Sequence, residues 1–297
     1  MTQQYYPQWN ETVYFEKLPN GLPVYVVPKP GFTKKLCYFV TDYGAIHTAY
    51  SRNGEAMQAP DGVAHFLEHK MFDLPGRDVT AEFAALGARP NAFTSYDLTA
   101  YYFSCTENFD GCLRLLLEFV STPYFTEESV EKERGIIAQE IRMYDDTPMQ
   151  AGYYNLMAAL YHTHPIRDNV GGTEETIAEI TPELLYRCHA AFYRPENMVL
   201  TVSGNVTAEA VIAGCDRCLP DAQIIRLGAK VHQISADQLK LNHSELTIYA
   251  HRCGAELSDE ELYEAVIARA DAAMRINGLN ALTEAQLTIL TADQIFI

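Results

Sequence analysis

The chain alternates between two hydrophobic rhythms, a two-residue one that marks strands and a three-to-four-residue one that marks helices. Val13 to Leu18 and Val24 to Val27 are strand-like runs on either side of Asn20-Gly21, a dipeptide that favours a tight hairpin, and Leu36 to Tyr43 supplies a third strand. Pro60-Asp61-Gly62 opens a helix, and a second helix after Asp78 ends at Gly87, a residue suited to a C-terminal cap. Arg89 to Thr94 and Leu98 to Cys105 read as another hairpin, turning at Ser95-Tyr96-Asp97. Helical spacing follows over residues 107–120, 128–143 and 149–160. Thr181-Pro182 starts a helix to Phe192, Met198 to Ser203 is a strand, and Thr207 begins a helix to Leu219. Hairpin-paired strands interspersed with helices that cannot all be parallel crossovers predict an α+β fold, an antiparallel sheet with helices packed on one face.

The helix after Gly62 carries chemistry. In His65-Phe66-Leu67-Glu68-His69 two imidazoles stand at i and i+4 on one helix face, with Cβ atoms roughly 5–6 Å apart, a gap that a single metal ion can bridge. Glu68 lies about 60° round the helix from His65, within reach of a water on that metal without being a ligand. The pattern is the inverted form of the H-E-x-x-H zinc-peptidase motif. Without a metal the same residues would make an ordinary amphipathic helix with hydrogen-bonded histidines.

A third ligand separates these readings, because catalytic zinc sites use three protein ligands and leave the fourth position open. The best-placed candidate lies in Glu127 to Ile141, a helix with Thr126 as N-cap and acids in its first turn. Glu133 and Glu140 share a face of that helix, beside an apolar stripe of Val130, Ile137 and Ile141 that sets Glu140 at the edge of the core. For either glutamate taken alone, a solvated helix face is the plainer alternative.

With those pieces in place the chain resembles the pitrilysin/insulinase family of zinc metallopeptidases, bacterial members above all. Besides His65 to His69, and Lys70 after it, the resemblance rests on Leu18-Pro19-Asn20-Gly21-Leu22, on Asn91-Ala92-Phe93-Thr94 with Thr99 and Tyr102, and on Glu133-Arg134 with Glu140-Ile141. Gly172-Thr173, Tyr193-Arg194-Pro195-Glu196-Asn197-Met198 and Ser203-Gly204-Asn205 extend it to about residue 220. The resemblance implies one zinc ion per chain on His65, His69 and Glu140, Glu68 as general base, and Glu133 as a carboxylate supporting a ligand. It also implies that Asn91, Ala92, Phe93 and Thr94 form a sheet edge to which an extended peptide substrate adds as a strand.

Composition narrows the rest. A net charge of −17 without clustered Lys and Arg argues against nucleic acid as a partner, and 48% apolar residues suffice for a core. No basic start followed by an apolar run opens the chain and no stretch approaches a membrane span, so a cytoplasmic protein with no membrane partner is expected. Seven cysteines, an odd number, fit reduced thiols, and the lone Cys215-x-x-Cys218 reads as packing.

Two segments are expected: residues 1–220 as the peptidase-like domain, and residues 221–297 as a divergent or truncated, mainly helical tail. In that tail Ser258-Asp259-Glu260-Glu261 is a capping box leading a helix to Ile276, and Thr283-Glu284-Ala285-Gln286 starts another. In the family a second, similar half closes over the substrate; the tail is too short to be one, so a homo- or hetero-oligomer would have to supply it. The expected function is zinc-dependent endopeptidase. The alternative is a non-catalytic or partner-dependent peptide-binding subunit of a heteromeric peptidase.

Overall fold

The computed structural model describes residues 1–52 and 55–218. The helices expected after Ser258 and Thr283, and the tail that contains them, lie outside the described residues.

Strands β1 (Thr2–Tyr6), β2 (Glu11–Lys17), β3 (Pro23–Pro28) and β4 (Lys35–Thr41) open the chain, and a separate ribbon of β5 (Ala49–Arg52) and β6 (Glu55–Gln58) follows. Helix α1 (Val63–Lys70) carries the two histidines. A short pair, β7 (Asp73–Leu74) and β8 (Arg77–Asp78), leads to α2 (Val79–Ala85), capped by the Asp78 side chain as expected. Hairpin β9 (Arg89–Thr94) and β10 (Thr99–Cys105) comes next, then α3 (Phe109–Ser121), α4 (Glu127–Asp145) and α5 (Pro148–Leu160). The described part ends with α6 (Glu174–Ala178), α7 (Pro182–Phe192), β11 (Met198–Gly204) and α8 (Ala208–Cys218).

Seven strands form one sheet in the order β1-β2-β3-β11-β4-β10-β9. Its pairs are antiparallel except β3 with β11, which run parallel, so the expected antiparallel sheet is in fact mixed at its centre. That pairing joins strands far apart in sequence, and nothing local to either marks it. Burial alternates along the central strands. Val24, Val26, Cys37, Phe39, Tyr101, Phe103, Leu200 and Val202 are buried, while Tyr25, Tyr38, Tyr102 and Thr201 between them are not. The buried set meets the helices, with α3 against β10 and β4, α8 against β3, and α1 against β9 and β10. Each fully buried Phe or Leu contributes roughly 1.5–3 kcal/mol, so this single helix-covered face is where the fold is held. No helix among the described residues is long and apolar enough to cross a membrane.

Several elements were not foreseen, among them β1, the β5/β6 ribbon and α6. Thr-Gln-Gln-Tyr-Tyr of β1 is an exposed edge strand with no buried face to impose alternation. The β5/β6 ribbon stands outside the main sheet, and α6 is too short for helical periodicity to register. The Asn20-Gly21 turn closes differently from a two-residue hairpin. Leu18 N–H donates to Leu22 O (2.9 Å), Gly21 N–H donates to Leu18 O (2.9 Å), and Gly21 takes φ +95°. Asn20 stays at negative φ, so the loop has three residues with only the glycine in the left-handed region.

Candidate metal centre

Two interlocked glycine turns set the start of α1. Gly62, its N-cap, has φ +91°, and a Cβ there would lie 2.5 Å from Gly171 O. Gly172 has φ +74°, and a Cβ there would lie 2.5 Å from Asp61 O. Only glycine fits either position, and the close approach seats the first turn of α1, with His65 on it, against the 169–172 turn. Lys70 at the other end is fully buried; its Nζ bonds Asp73 and donates to Ser129 O (3.3 Å) in the first turn of α4, tying the two helices together. On α4, Thr126 and Ser129 form the capping box, and Arg134 donates to Ile177 O (3.1 Å) and Ile180 O (2.8 Å). Val130, Ile137 and Ile141 are buried as the stripe predicted, which turns Glu133 and Glu140 towards α1.

The result is a convergence of three side chains. Glu140 Oε1 lies 3.9 Å from His65 Nε2, and its Oε2 lies 3.5 Å from His69 Nε2. One ligand atom from each of the three falls within 4.8 Å of the others. Ligands at tetrahedral zinc distances stand roughly 3.3 Å apart, so small side-chain adjustments would let these atoms hold one zinc ion. All three side chains are partly exposed, which leaves a side of the centre open to solvent. His69 Nδ1 donates to Glu133 Oε1 (3.0 Å), which orients the ring and leaves Nε2 with its lone pair towards the centre. His65 Nδ1 is buried without a hydrogen-bond partner, beside the Gly171 backbone.

Glu68 is buried at 8% exposure and accepts a hydrogen bond from Thr94 Oγ1 on β9 (2.7 Å). Burial raises its pKa; the Thr94 hydroxyl and the His69 charge pull the other way, and the Glu140 charge adds to the rise. Burial, with His69 alongside, pushes His65 down to about 3. For His69 burial opposes the charged form, but the hydrogen bond to Glu133 and the charges of Glu68, Glu133 and Glu140 prevail and raise its pKa. Three titratable groups in one cleft, Glu68, His65 and His69, thus have their proton affinities pushed in different directions by their surroundings.

A cavity of about 650 Å³ opens over these atoms, and its wall includes Phe72, Phe93, Tyr144, Tyr154 and Asn169. Burial, with the Glu140 carboxylate beside it, raises the pKa of the Tyr144 phenol. Neither its role nor that of Lys70 was read from the sequence; Tyr144 stands four residues after Glu140, a spacing that could have flagged it.

The four residues of β9 divide. Exposure alternates, with Ala92 and Thr94 on the α1 side, and Asn91 and Phe93 on the open face of the sheet. Thr94 bonds to the histidine helix, through Glu68. β9 is nonetheless an edge of the sheet, as expected, with its outer backbone unpaired by any strand among the described residues.

The chain is similar to known proteins in sequence and in fold. Residues 52–174 match the family described as Insulinase (Peptidase family M16), and residues 179–219 match the Peptidase M16 inactive domain. The chain is 49% identical over 210 residues to the uncharacterized zinc protease YmfH of Bacillus subtilis (strain 168), a match covering 70% of this chain and 49% of that protein. It spans about half the length of the curated relatives it matches. A solved structure of a protein described as M16-like from Alicyclobacillus acidocaldarius superposes with a TM-score of 0.69 at 26% identity, over 99% of this chain and 95% of that one. A protease from Helicobacter pylori follows with a TM-score of 0.63 at 25% identity, over 70% and 49% of the two chains.

Proposed function

The chain belongs to the insulinase (M16) family of peptidases, and on that premise we propose that it hydrolyses peptide bonds of extended polypeptides laid along β9, with one zinc ion as cofactor. The observation that carries this reading is the meeting of His65 Nε2, His69 Nε2 and Glu140 in one open cavity with a buried, hydrogen-bonded Glu68.

His65, His69 and Glu140 would hold the metal, and a donor set of two imidazoles and one carboxylate suits zinc better than calcium or magnesium, which take oxygen shells. When bound, zinc supplies a Lewis acid that lowers the pKa of a coordinated water to about 7. The protein's own groups do the remainder. Glu133 keeps His69 in the tautomer that presents Nε2. Glu68, its pKa lifted by burial towards working pH, takes a proton from the attacking water and returns it to the leaving amine. Thr94 holds the Glu68 carboxylate in place from the strand that binds substrate, so substrate docking and base orientation share one element.

Glu68→Gln should abolish hydrolysis of a fluorogenic peptide while zinc content stays at one equivalent; retained turnover would end this mechanism. A second reading, a subunit that acts on peptides only with a partner, draws on the half-length match to relatives. Turnover that appears only on mixing with a partner chain would favour it over a self-sufficient enzyme.

A further inference from the structure

Edge strands invite unwanted pairing, and β9 carries a device against it. Ser95 N–H donates to Leu98 O (2.8 Å), which puts that pair in a hydrogen-bonded position of the ladder. Antiparallel pairing alternates, which makes Phe93 with Ala100 and Asn91 with Tyr102 the next bonded pairs. The backbone groups of Pro90, Ala92 and Thr94 therefore point away from β10, off the edge. Proline has no N–H, which leaves Ala92 and Thr94 as the outward donors.

The Ala92 donor is covered. Its N–H donates to Asn91 Oδ1 (2.9 Å), and Asn91 Nδ2 donates to Tyr102 Oη (2.9 Å). Tyr102 is itself held by stacking on Tyr38, with ring centroids 4.6 Å apart. The Ala92 N–H fixes which way the amide faces, because a flipped amide would aim its NH2 at that donor, and the Tyr102 hydroxyl holds the other end by accepting from Nδ2.

We propose that Asn91 is a latch on the sheet edge, covering the Ala92 N–H until an extended peptide displaces it. The inference rests on the reading of β9 as the strand to which substrate adds. A peptide carbonyl must take the place of Asn91 Oδ1, so the latch weakens binding and screens out segments that cannot offer a strand in this register.

The test uses protein carrying Glu68→Gln, so that the probe is not cut, and a fluorescent peptide of alternating valine and lysine, alongside the same peptide N-methylated at alternate amides. Asn91→Ala should bind the unmodified peptide roughly 2- to 10-fold tighter, as expected for removing one net hydrogen bond. Tyr102→Phe, which frees the amide but keeps the ring, should shift affinity the same way by less. Unchanged or weaker binding by Asn91→Ala overturns the latch. Equal binding of both peptides by the parent protein instead overturns strand addition itself, whatever the Asn91 variant does.

Discussion

Zinc uptake by this centre should release one proton, not two, in mildly acidic solution. Both imidazoles must be neutral to bind a metal, yet they start from different states. His65 is pushed down to about 3 by burial and by His69, so around pH 5–6 it has no proton to lose. His69 has a raised pKa, because Glu133, Glu68 and Glu140 outweigh its burial, and it is protonated across that range. Each zinc ion then displaces the His69 proton, and the apparent Kd weakens about tenfold per pH unit on acidification, close to 1.4 kcal/mol per unit. Two ordinary histidines would give about a hundredfold per unit. Glu68 also has a raised pKa and responds to a nearby cation, so the titration is run on Glu68→Gln, where that group is removed. Metal-free protein is titrated against a chromophoric chelator of known protonation at several pH values, and calorimetry in two buffers of different ionisation enthalpy counts the protons. Two protons per zinc would refute the burial argument for His65. None would refute the pairing of His69 with Glu133.

Three further outcomes follow from the same contacts. Glu133→Gln should weaken zinc binding by about 10- to 100-fold without eliminating it, measured by the same chelator competition, since it supports a ligand and is not one. Thr94→Val should lower kcat by about 10- to 100-fold with zinc content unchanged, and Thr94→Ser should restore most of it; hydrogen bonds to charged groups are worth about 1.5–3 kcal/mol, and this one steadies the Glu68 carboxylate. His189 is fully buried, donates from Nε2 to Val120 O (3.1 Å), and is driven by desolvation down to about 4. Its folded pKa lies below the unfolded one, so its contribution is complete above pH ~6.5 and is lost as pH falls towards 4, a change of about 3 kcal/mol. Urea melts of metal-free protein at pH 7 and pH 4.5 should show His189→Gln losing less stability on acidification than the parent; an equal loss would dismiss the effect.

How much of this could be read from the residues alone varies by element. The histidine helix, the Thr126-capped helix with its Val130, Ile137 and Ile141 stripe, and the β9/β10 hairpin are local patterns, and each formed where its spacing put it. Strand β1 was illegible, because an exposed edge strand has no buried side to pattern its residues. The motif around residue 91 gave a strand position but not an orientation. Which of Asn91 and Thr94 faces the metal centre depends on the pleat, and the pleat is fixed by the pairing of β9 with β10.

The order of residues by itself determined the inventory: two histidines and a glutamate on one helical turn, and two glutamates on one face of another helix. Spacing within a helix is set by backbone geometry, so those relations hold before any packing occurs. Whether the helices meet was a matter for tertiary structure alone. The approach of Glu140 to His65 and His69 depends on buried Lys70, on Arg134, and on the seating of Gly62 against Gly171 and Gly172. These contacts join segments up to about a hundred residues apart, and only the close-packed core, which admits few arrangements of its side chains, brings them into register.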